Sequence, residues 1–274
     1  LRWRTVQRND AIDAYGTYPI HSRPNNAPKD AFSAGVQHTQ QPIVTGTSVL
    51  AIKYKDGIMM AADNLASYGS LARFKDVRRL HPVGENTVIG AGGDMSDFQY
   101  LQTILDELTI SEFAAQDGHS LGPAEIHEYL AQVMYARRSK MNPLWNSILV
   151  GGFKDGKKRI LGTNGTFFTR FLSYVDLLGT TYSASTLATG YGGHIAQPLL
   201  REAVEGREDT LTEEQALAII ENSMRVLFYR DARSLNKYQV ATITQAGVSI
   251  SESKHLETSW SFAEGIRGYG AQTQ

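Results

Sequence analysis

Cysteine is absent from this chain of 274 residues. Without thiols the chain forms neither disulfide bonds nor the thiolate ligand sets of structural zinc sites. A spacing of three or four residues places two histidine imidazoles on one helix face, where they can bind a metal ion. None of the seven histidines has another histidine at that spacing. The sequence therefore predicts no metal and no cofactor, and it is compatible with a reducing compartment.

Long apolar runs and an excess of one charge are also missing. No apolar stretch approaches the roughly 18–20 residues of a membrane-spanning helix, and the polar segment 1–10 does not resemble a secretory signal. Lysine and arginine number 27 against 28 aspartates and glutamates, for a net charge of −1. This balance provides no broad basic surface for nucleic acid or an anionic membrane. We expect a soluble intracellular protein that binds neither.

Two short patterns resemble ligand-binding motifs but are incomplete. The glycine-rich run 90–93 lacks both the dinucleotide-binding spacing and the lysine of a phosphate-binding loop. The cations Arg137, Arg138 and Lys140 fall at the predicted end of a helix, where the helix dipole favours positive charge. Neither pattern indicates a nucleotide or nucleic-acid site.

Composition divides the chain into three parts. Residues 1–38 are poor in aliphatic side chains and contain several prolines, so they bury too little surface to offset the entropy of ordering. We interpret them as an extended leader. Residues 39–251 carry alternating strand and helix patterns and form the predicted folded domain. Residues 252–274 form a C-terminal arm with aromatic residues among glycines.

Hydrophobic periodicity predicts two pairs of helices. The first helix has apolar residues at steps of three and four, namely Phe98, Leu101, Leu105 and Leu108. A second helix follows Pro123 with the same period, and a third is predicted over His194–Val204. The fourth is predicted to open at the capping-box spacing Thr210…Glu213.

Strand patterns precede, separate and follow these helix pairs. A strand over Asn146–Phe153 is followed by a turn-like stretch, Lys154–Lys157, and a final hairpin is formed by Tyr238–Thr244 and Val248–Ser251. Runs of strands between helix pairs favour packed layers over regular βαβ winding.

The most specific pattern in the chain begins at Gly46-Thr47. This junction opens a strand, a tight hairpin turn follows, and Ala61-Ala62-Asp63 places its aspartate sixteen positions after the threonine. Here the sequence resembles the beta-type subunits of the proteasome, members of the N-terminal-nucleophile hydrolase family. The resemblance covers Thr39 to about Gly270 and is closest to one non-catalytic type of subunit. The segments that carry it are Thr39–Thr47, Tyr68–Ser70, Arg137–Asn146, Leu187–Gly190, Tyr229–Ser234 and Gly268–Gly270.

The resemblance implies both a fold and a site. The implied fold is α+β, a four-layer α-β-β-α sandwich of two stacked sheets with a helix pair on each outer face. In active relatives a threonine exposed at the chain start attacks the peptide carbonyl, and its own amine takes part in proton transfer. The resemblance assigns the nucleophile position to Thr47, its aspartate partner to Asp63, the oxyanion-binding glycine to Gly93, and further polar positions to Thr189, Asp231 and Ser234.

One position departs from the catalytic pattern. Arg79 stands where the resemblance implies a lysine. A lysine amine gives and takes a proton when burial lowers its pKa, whereas an arginine side chain in general stays protonated up to about pH 12. Arg79 is therefore suited to an ion pair with Asp63 but is a poor proton shuttle.

A second requirement for catalysis is a free amine on the threonine, which depends on where the mature chain starts. Thr47 has a free amine only if the Gly46–Thr47 bond is cut, whereas the resemblance implies an earlier cut at His38–Thr39 by a neighbouring active subunit. We therefore expect a non-catalytic structural subunit in which the site residues persist as a polar cluster. The alternatives are an active threonine endopeptidase that uses Thr47, and a free-standing binding protein.

The resemblance also implies partners and a location. The arm residues Trp260, Phe262 and Tyr269 are expected to reach subunits of the opposite beta ring and help two half-particles join. The implied partners are the other alpha- and beta-type subunits, assembly chaperones and, indirectly, the regulatory particle. The implied location is the cytoplasm and nucleus.

Overall fold

A computed structural model describes residues 41–116, 120–160 and 163–261, and for residues 154–160 and 163–168 it describes the backbone alone. These ranges contain fourteen strands and four helices. The strands are β1 Val44–Gly46, β2 Val49–Tyr54, β3 Gly57–Asp63, β4 Ala66–Tyr68, β5 Leu71–Phe74, β6 Leu80–Val83, β7 Thr87–Asp94, β8 Asn146–Ile160, β9 Thr163–Val175, β10 Thr181–Ser183, β11 Thr186–Ala188, β12 Lys237–Thr244, β13 Gly247–Ile250 and β14 Lys254–His255. The helices are α1 Met95–Ala115, α2 Pro123–Ser139, α3 Gly192–Val204 and α4 Glu213–Arg230.

The strands form two antiparallel sheets. Sheet 1 has the order β10-β9-β8-β7-β1-β4-β5, and β6 pairs with β7 beside β1. Sheet 2 has the order β11-β2-β3-β12-β13, and β14 pairs with β12. The chain passes from sheet 1 to sheet 2 between β1 and β2, and the short segment that makes this crossing is Thr47-Ser48.

Three apolar cores separate the layers. Helices α1 and α2 pack on sheet 1 through a cluster that includes Phe98, Leu130 and Ile148. Helices α3 and α4 pack on sheet 2 through a second cluster, and a third cluster fills the space between the two sheets. The predicted four-layer α-β-β-α sandwich is therefore confirmed. Within the described ranges, no helix has the length and apolarity to cross a bilayer.

The start of α4 differs from the prediction. Its N-cap is Thr212, whose hydroxyl accepts a hydrogen bond from the Gln215 backbone N–H, while the Gln215 side chain accepts one from the Thr212 N–H. Thr210 instead donates its hydroxyl to the Arg207 carbonyl in the preceding turn. The predicted capping box at Thr210…Glu213 is wrong, because the same spacing recurs two residues later at the true helix start.

The turn predicted at Lys154–Lys157 is also wrong. The backbone of β8 stays paired with β9 through this stretch as far as Ile160↔Thr163. Cross-strand hydrogen bonding overrides the turn-like local composition.

The first residues of the predicted C-terminal arm pack on the domain. β14 pairs with β12, and the side chain of Leu256 is buried in the core below α3 and α4. The Trp260 ring lies edge-on to Phe228 and Tyr229 at the end of α4, with ring centroids 5.9 and 4.9 Å apart. As far as Trp260, the arm is therefore attached to its own domain.

Candidate functional site

The sites assigned from the sequence lie where the two sheets meet. Thr47 lies in the crossing from sheet 1 to sheet 2, Asp63 ends β3, and Arg79 directly precedes β6. Asp231 is the C-cap residue of α4, and Gly93 lies near the end of β7. The fold thus brings residues from five separate elements to one region.

Arg79 is the centre of this region. Its side chain is among the largest that the core buries completely, with 1% exposed. Nε donates to the Asp63 carbonyl at 2.8 Å, and Nη1 donates to the Thr47 and Ala91 carbonyls at 2.7 and 3.3 Å. Nη2 donates to the Ser48 carbonyl at 2.9 Å and to the Asp63 carboxylate. All five guanidinium N–H groups therefore have an acceptor.

Asp63 forms a buried ion pair with Arg79. The second oxygen of its carboxylate accepts a hydrogen bond from the Leu235 backbone N–H at 3.0 Å. Burial raises the pKa of the Asp63 carboxyl, and the charge of Arg79 together with the Leu235 N–H opposes that rise. The ion pair expected between these two positions is present.

The hydroxyl of Thr47 belongs to a second pair. Its Oγ1 donates to the Asp231 carboxylate at 2.5 Å, and the other carboxylate oxygen of Asp231 accepts from the Arg233 backbone N–H at 2.9 Å. Because the carbonyl of Thr47 accepts from Arg79, this residue connects the two acid-containing pairs. In the continuous chain the nitrogen of Thr47 is an amide, which has no basic lone pair.

Two of the assigned hydroxyl residues point to other groups. Ser234 donates to the backbone carbonyl of Asp231 at 2.7 Å, and Thr189 accepts from the backbone N–H of Val49 at 2.9 Å. Among the described residues, neither hydroxyl is hydrogen-bonded to Thr47. They stabilise the C-terminal end of α4 and the junction between β11 and β2.

The glycines beside Thr47 are required by space. A Cβ on Gly46 would lie 2.6 Å from Cδ of Arg79, so only glycine leaves room for the buried guanidinium. Gly93 has a φ of +92°, and its Cβ would lie 2.0 Å from the Trp145 carbonyl oxygen. Gly46 pairs directly with Gly93 in the ladder between β1 and β7. Gly93, the position assigned to oxyanion binding, is therefore paired with β1 of the same chain.

Sequence reasoning missed two polar residues of this region. The Ser48 hydroxyl accepts from the Gly192 N–H at the start of α3, at 2.8 Å. Asn146 is buried, and its amide donates to the carbonyls of Gly92 and Asp94. Asn146 ends one of the segments that carry the resemblance, and this was the only available signal for it.

An open cleft of about 290 Å³ lies beside Thr47. Residues of the segment before Thr47, including Pro42, Thr45 and Gly46, form one wall, and Trp145 and Tyr191 contribute to its lining. The described residues contain no group of three or more histidine, aspartate or glutamate side chains arranged for a metal ion. The predicted leader 1–38, the His38–Thr39 junction, Phe262 and Tyr269 lie outside the described residues.

Two stacked antiparallel sheets between helix pairs, with a threonine at the crossing between them, define the N-terminal-nucleophile hydrolase fold. A family model described as proteasome subunit matches residues 43–243, and the chain belongs to that family. It is 52% identical over 246 residues to a protein named "Probable proteasome subunit beta type-7" from Schizosaccharomyces pombe. The alignment covers 89% of this chain and 90% of the relative.

Two further relatives cover nearly the whole chain. "Proteasome subunit beta type-7" from Saccharomyces cerevisiae is 47% identical over 271 residues, covering 96% of this chain and 95% of the relative. "Proteasome subunit beta type-4" from Xenopus laevis is 46% identical over 258 residues, covering 93% and 98%. The expectation of a beta-type proteasome subunit is confirmed, and the similar relatives carry the type-7 and type-4 names.

Proposed function

We propose that this chain is a non-catalytic, structural subunit of the proteasome twenty-S core. In this role it supports assembly of the beta ring and the joining of half-particles, for ATP- and ubiquitin-dependent protein degradation. Its partners are other alpha- and beta-type subunits, assembly chaperones and, indirectly, the regulatory particle. We further propose a location in the cytoplasm and nucleus, removal of the leader at His38–Thr39, and an arm whose outer part docks on subunits of the opposite ring.

The main support for the non-catalytic assignment is that every N–H donor of Arg79 already has an acceptor. A proton shuttle beside the nucleophile needs a group that exchanges a proton near the working pH. At that position Arg79 has a guanidinium whose five N–H donors all have acceptors, and a guanidinium offers no lone pair to the Thr47 hydroxyl. The contacts of Arg79 hold together the crossing between β1 and β2, the end of β3 and the backbone of β7, which is a structural role.

The segment before Thr47 supports the same assignment. β1 lies between β7 and β4, pairing Thr45 with both Asp94 and Ser67, and thereby joins the two parts of sheet 1. The Ile43 N–H donates to the carboxylate of Asp94, the N-cap residue of α1. An intact Gly46–Thr47 bond keeps this strand continuous with β2 and leaves Thr47 without a terminal amine.

Intact-mass analysis of purified core particles treated with a threonine-directed covalent inhibitor tests the proposal. We expect this chain to start at Thr39 and to carry no adduct, whereas the catalytic subunits of the same particle are labelled and serve as the internal control. An adduct on a chain that starts at Thr47 would establish the active endopeptidase alternative. A chain that never enters particles would instead support the free-standing protein.

A substitution of the hydroxyl gives a second readout. Thr47→Val keeps the size of the side chain but removes the hydroxyl and, with it, the hydrogen bond to Asp231. We expect particles that contain it to cleave reporter peptides of each specificity class at the wild-type rate. Selective loss of one peptidase activity at normal particle yield would refute the non-catalytic assignment.

A further inference from the structure

The β4–β5 hairpin is exposed in an unusual way. β5 is an edge strand of sheet 1, and among the described residues it pairs only with β4. All four of its residues, Leu71 to Phe74, are exposed, so neither face of the strand is buried in the domain. A short strand with both faces in water gains little stability from burial within its own chain. Its outer edge presents unpaired backbone groups.

The hairpin side chains are apolar where solvent would favour polar ones. Tyr68, Leu71 and Phe74 are 54, 55 and 44% exposed. They lie within seven residues on two neighbouring strands, so the apolar side chains are concentrated at one end of sheet 1. Grouped exposed apolar side chains of this kind mark interaction sites more often than isolated ones do.

The charged side chains of residues 66–78 that form no ion pair among the described residues are all positive. Arg73, Lys75 and Arg78 are exposed, and none of them forms an ion pair with an acid among the described residues. Asp76 is the acid of this stretch, and it is paired with Lys237 at 2.6 Å. The guanidinium of Arg73 lies over the Phe74 ring, which keeps apolar and cationic groups side by side.

We propose that the β4–β5 hairpin, residues 66–78, is a docking surface for an extended acidic segment of a neighbouring proteasome subunit. That segment adds to the free edge of β5 as a further strand of sheet 1. Its acids neutralise Arg73, Lys75 and Arg78, and its apolar side chains cover Leu71 and Phe74. The proposal rests on the proposed role as a ring subunit, because it requires a neighbour in the particle.

Photo-crosslinking from Leu71 tests the occupant directly. The residue is replaced by a photoreactive benzoylphenylalanine in the full chain, and purified particles are irradiated and the linked peptides sequenced. We expect one dominant link to an acid-rich segment of a different subunit. A link to a second copy of this chain, a link to a basic or helical segment, or no intersubunit link would each overturn the proposal.

Charge reversal tests the chemistry of the surface. The double variant Arg73→Glu with Lys75→Glu competes with a tagged wild-type chain for incorporation into particles. We expect its share to fall about tenfold, because like charges then face the acidic segment. The matched control is Arg138→Glu with Lys140→Glu, two cations of the same spacing at the end of α2, whose share should stay within about twofold of wild type.

The two experiments separate this proposal from the proposed function. If the wild-type chain does not enter particles at all, the role as a ring subunit fails. If the wild-type chain enters but the hairpin double variant enters equally well, the docking surface is refuted and the ring role stands. Raising the salt concentration should reduce incorporation of the wild-type chain and narrow its advantage over the double variant.

Discussion

Replacing Arg79 by lysine removes part of the hydrogen-bond network without removing the positive charge. The guanidinium serves five acceptors, whereas an ammonium has three N–H donors on a shorter reach. At least two buried acceptors among the carbonyls of Thr47, Ser48, Asp63 and Ala91 therefore lose their partner. Each unsatisfied buried group costs about 1–3 kcal/mol, which gives about 2–6 kcal/mol for Arg79→Lys. This is a large share of the typical stability of about 5–15 kcal/mol of a domain.

Pulse proteolysis over a urea series measures this loss for the chain in purified particles. With a urea dependence of about 3 kcal/mol per M, the unfolding midpoint of this subunit should fall by about 0.7–2 M. Arg78→Lys is the matched control, because Arg78 is the exposed neighbour, and its midpoint should stay unchanged. Equal midpoints for the two variants would refute the view that Arg79 holds these backbone segments together.

Other substitutions test separate features with the same urea measurement. Gly46→Ala forces a Cβ against the buried guanidinium and should cost about 1–3 kcal/mol, whereas Gly193→Ala, where the added Cβ meets its nearest atom at 3.5 Å, should cost less than half of that. Thr212→Ala removes the cap of α4 and should cost about 1 kcal/mol, while a larger effect of Thr210→Ala would contradict the observed helix start. Tyr54→Phe should be at least as stable as wild type, because the buried Tyr54 hydroxyl has no hydrogen-bond partner among the described residues. Burial raises the pKa of Tyr54 from 10.0 to about 12, so wild-type stability should fall as the pH rises from 10.0 to about 12 and the phenylalanine variant should lose less over that range.

Side-chain spacing was sufficient to predict the helix faces, whereas the four-layer sandwich was implied by the resemblance. The stripe of Phe98, Leu101 and Leu105 is buried on sheet 1 because steps of three and four place the three side chains on one helix face. The stretch Lys154–Lys157 was misassigned because turn residues report local preference only, whereas pairing with β9 is a long-range interaction. The capping box was wrongly predicted at Thr210 for a related reason. The spacings Thr210…Glu213 and Thr212…Gln215 overlap, and local sequence does not show which of them starts the helix.

The charged side chains of the candidate site were predictable from the sequence, but the main-chain carbonyls that accept their hydrogen bonds were not. The resemblance located Asp63, Arg79 and Asp231, and the fold brings their side chains into one linked network through Thr47. Four of the acceptors of Arg79 are main-chain carbonyls, and a carbonyl is present at every residue whatever its side chain. No sequence pattern therefore distinguishes the carbonyls that will face a buried cation. Ser234 was correctly placed near Asp231, but its partner is again a carbonyl.

The position of β1 sets a limit on how the chain can be shortened. Its pairing with β4 begins at Val44, its pairing with β7 begins at Thr45, and the contact with the N-cap residue of α1 begins at Ile43. Truncation upstream of these residues leaves sheet 1 whole, whereas truncation at Thr47 would detach the hairpin β4–β5 from the rest of its sheet. The leader cleavage that we propose at His38–Thr39 lies upstream of this limit and would leave the three-residue strand and its pairing intact.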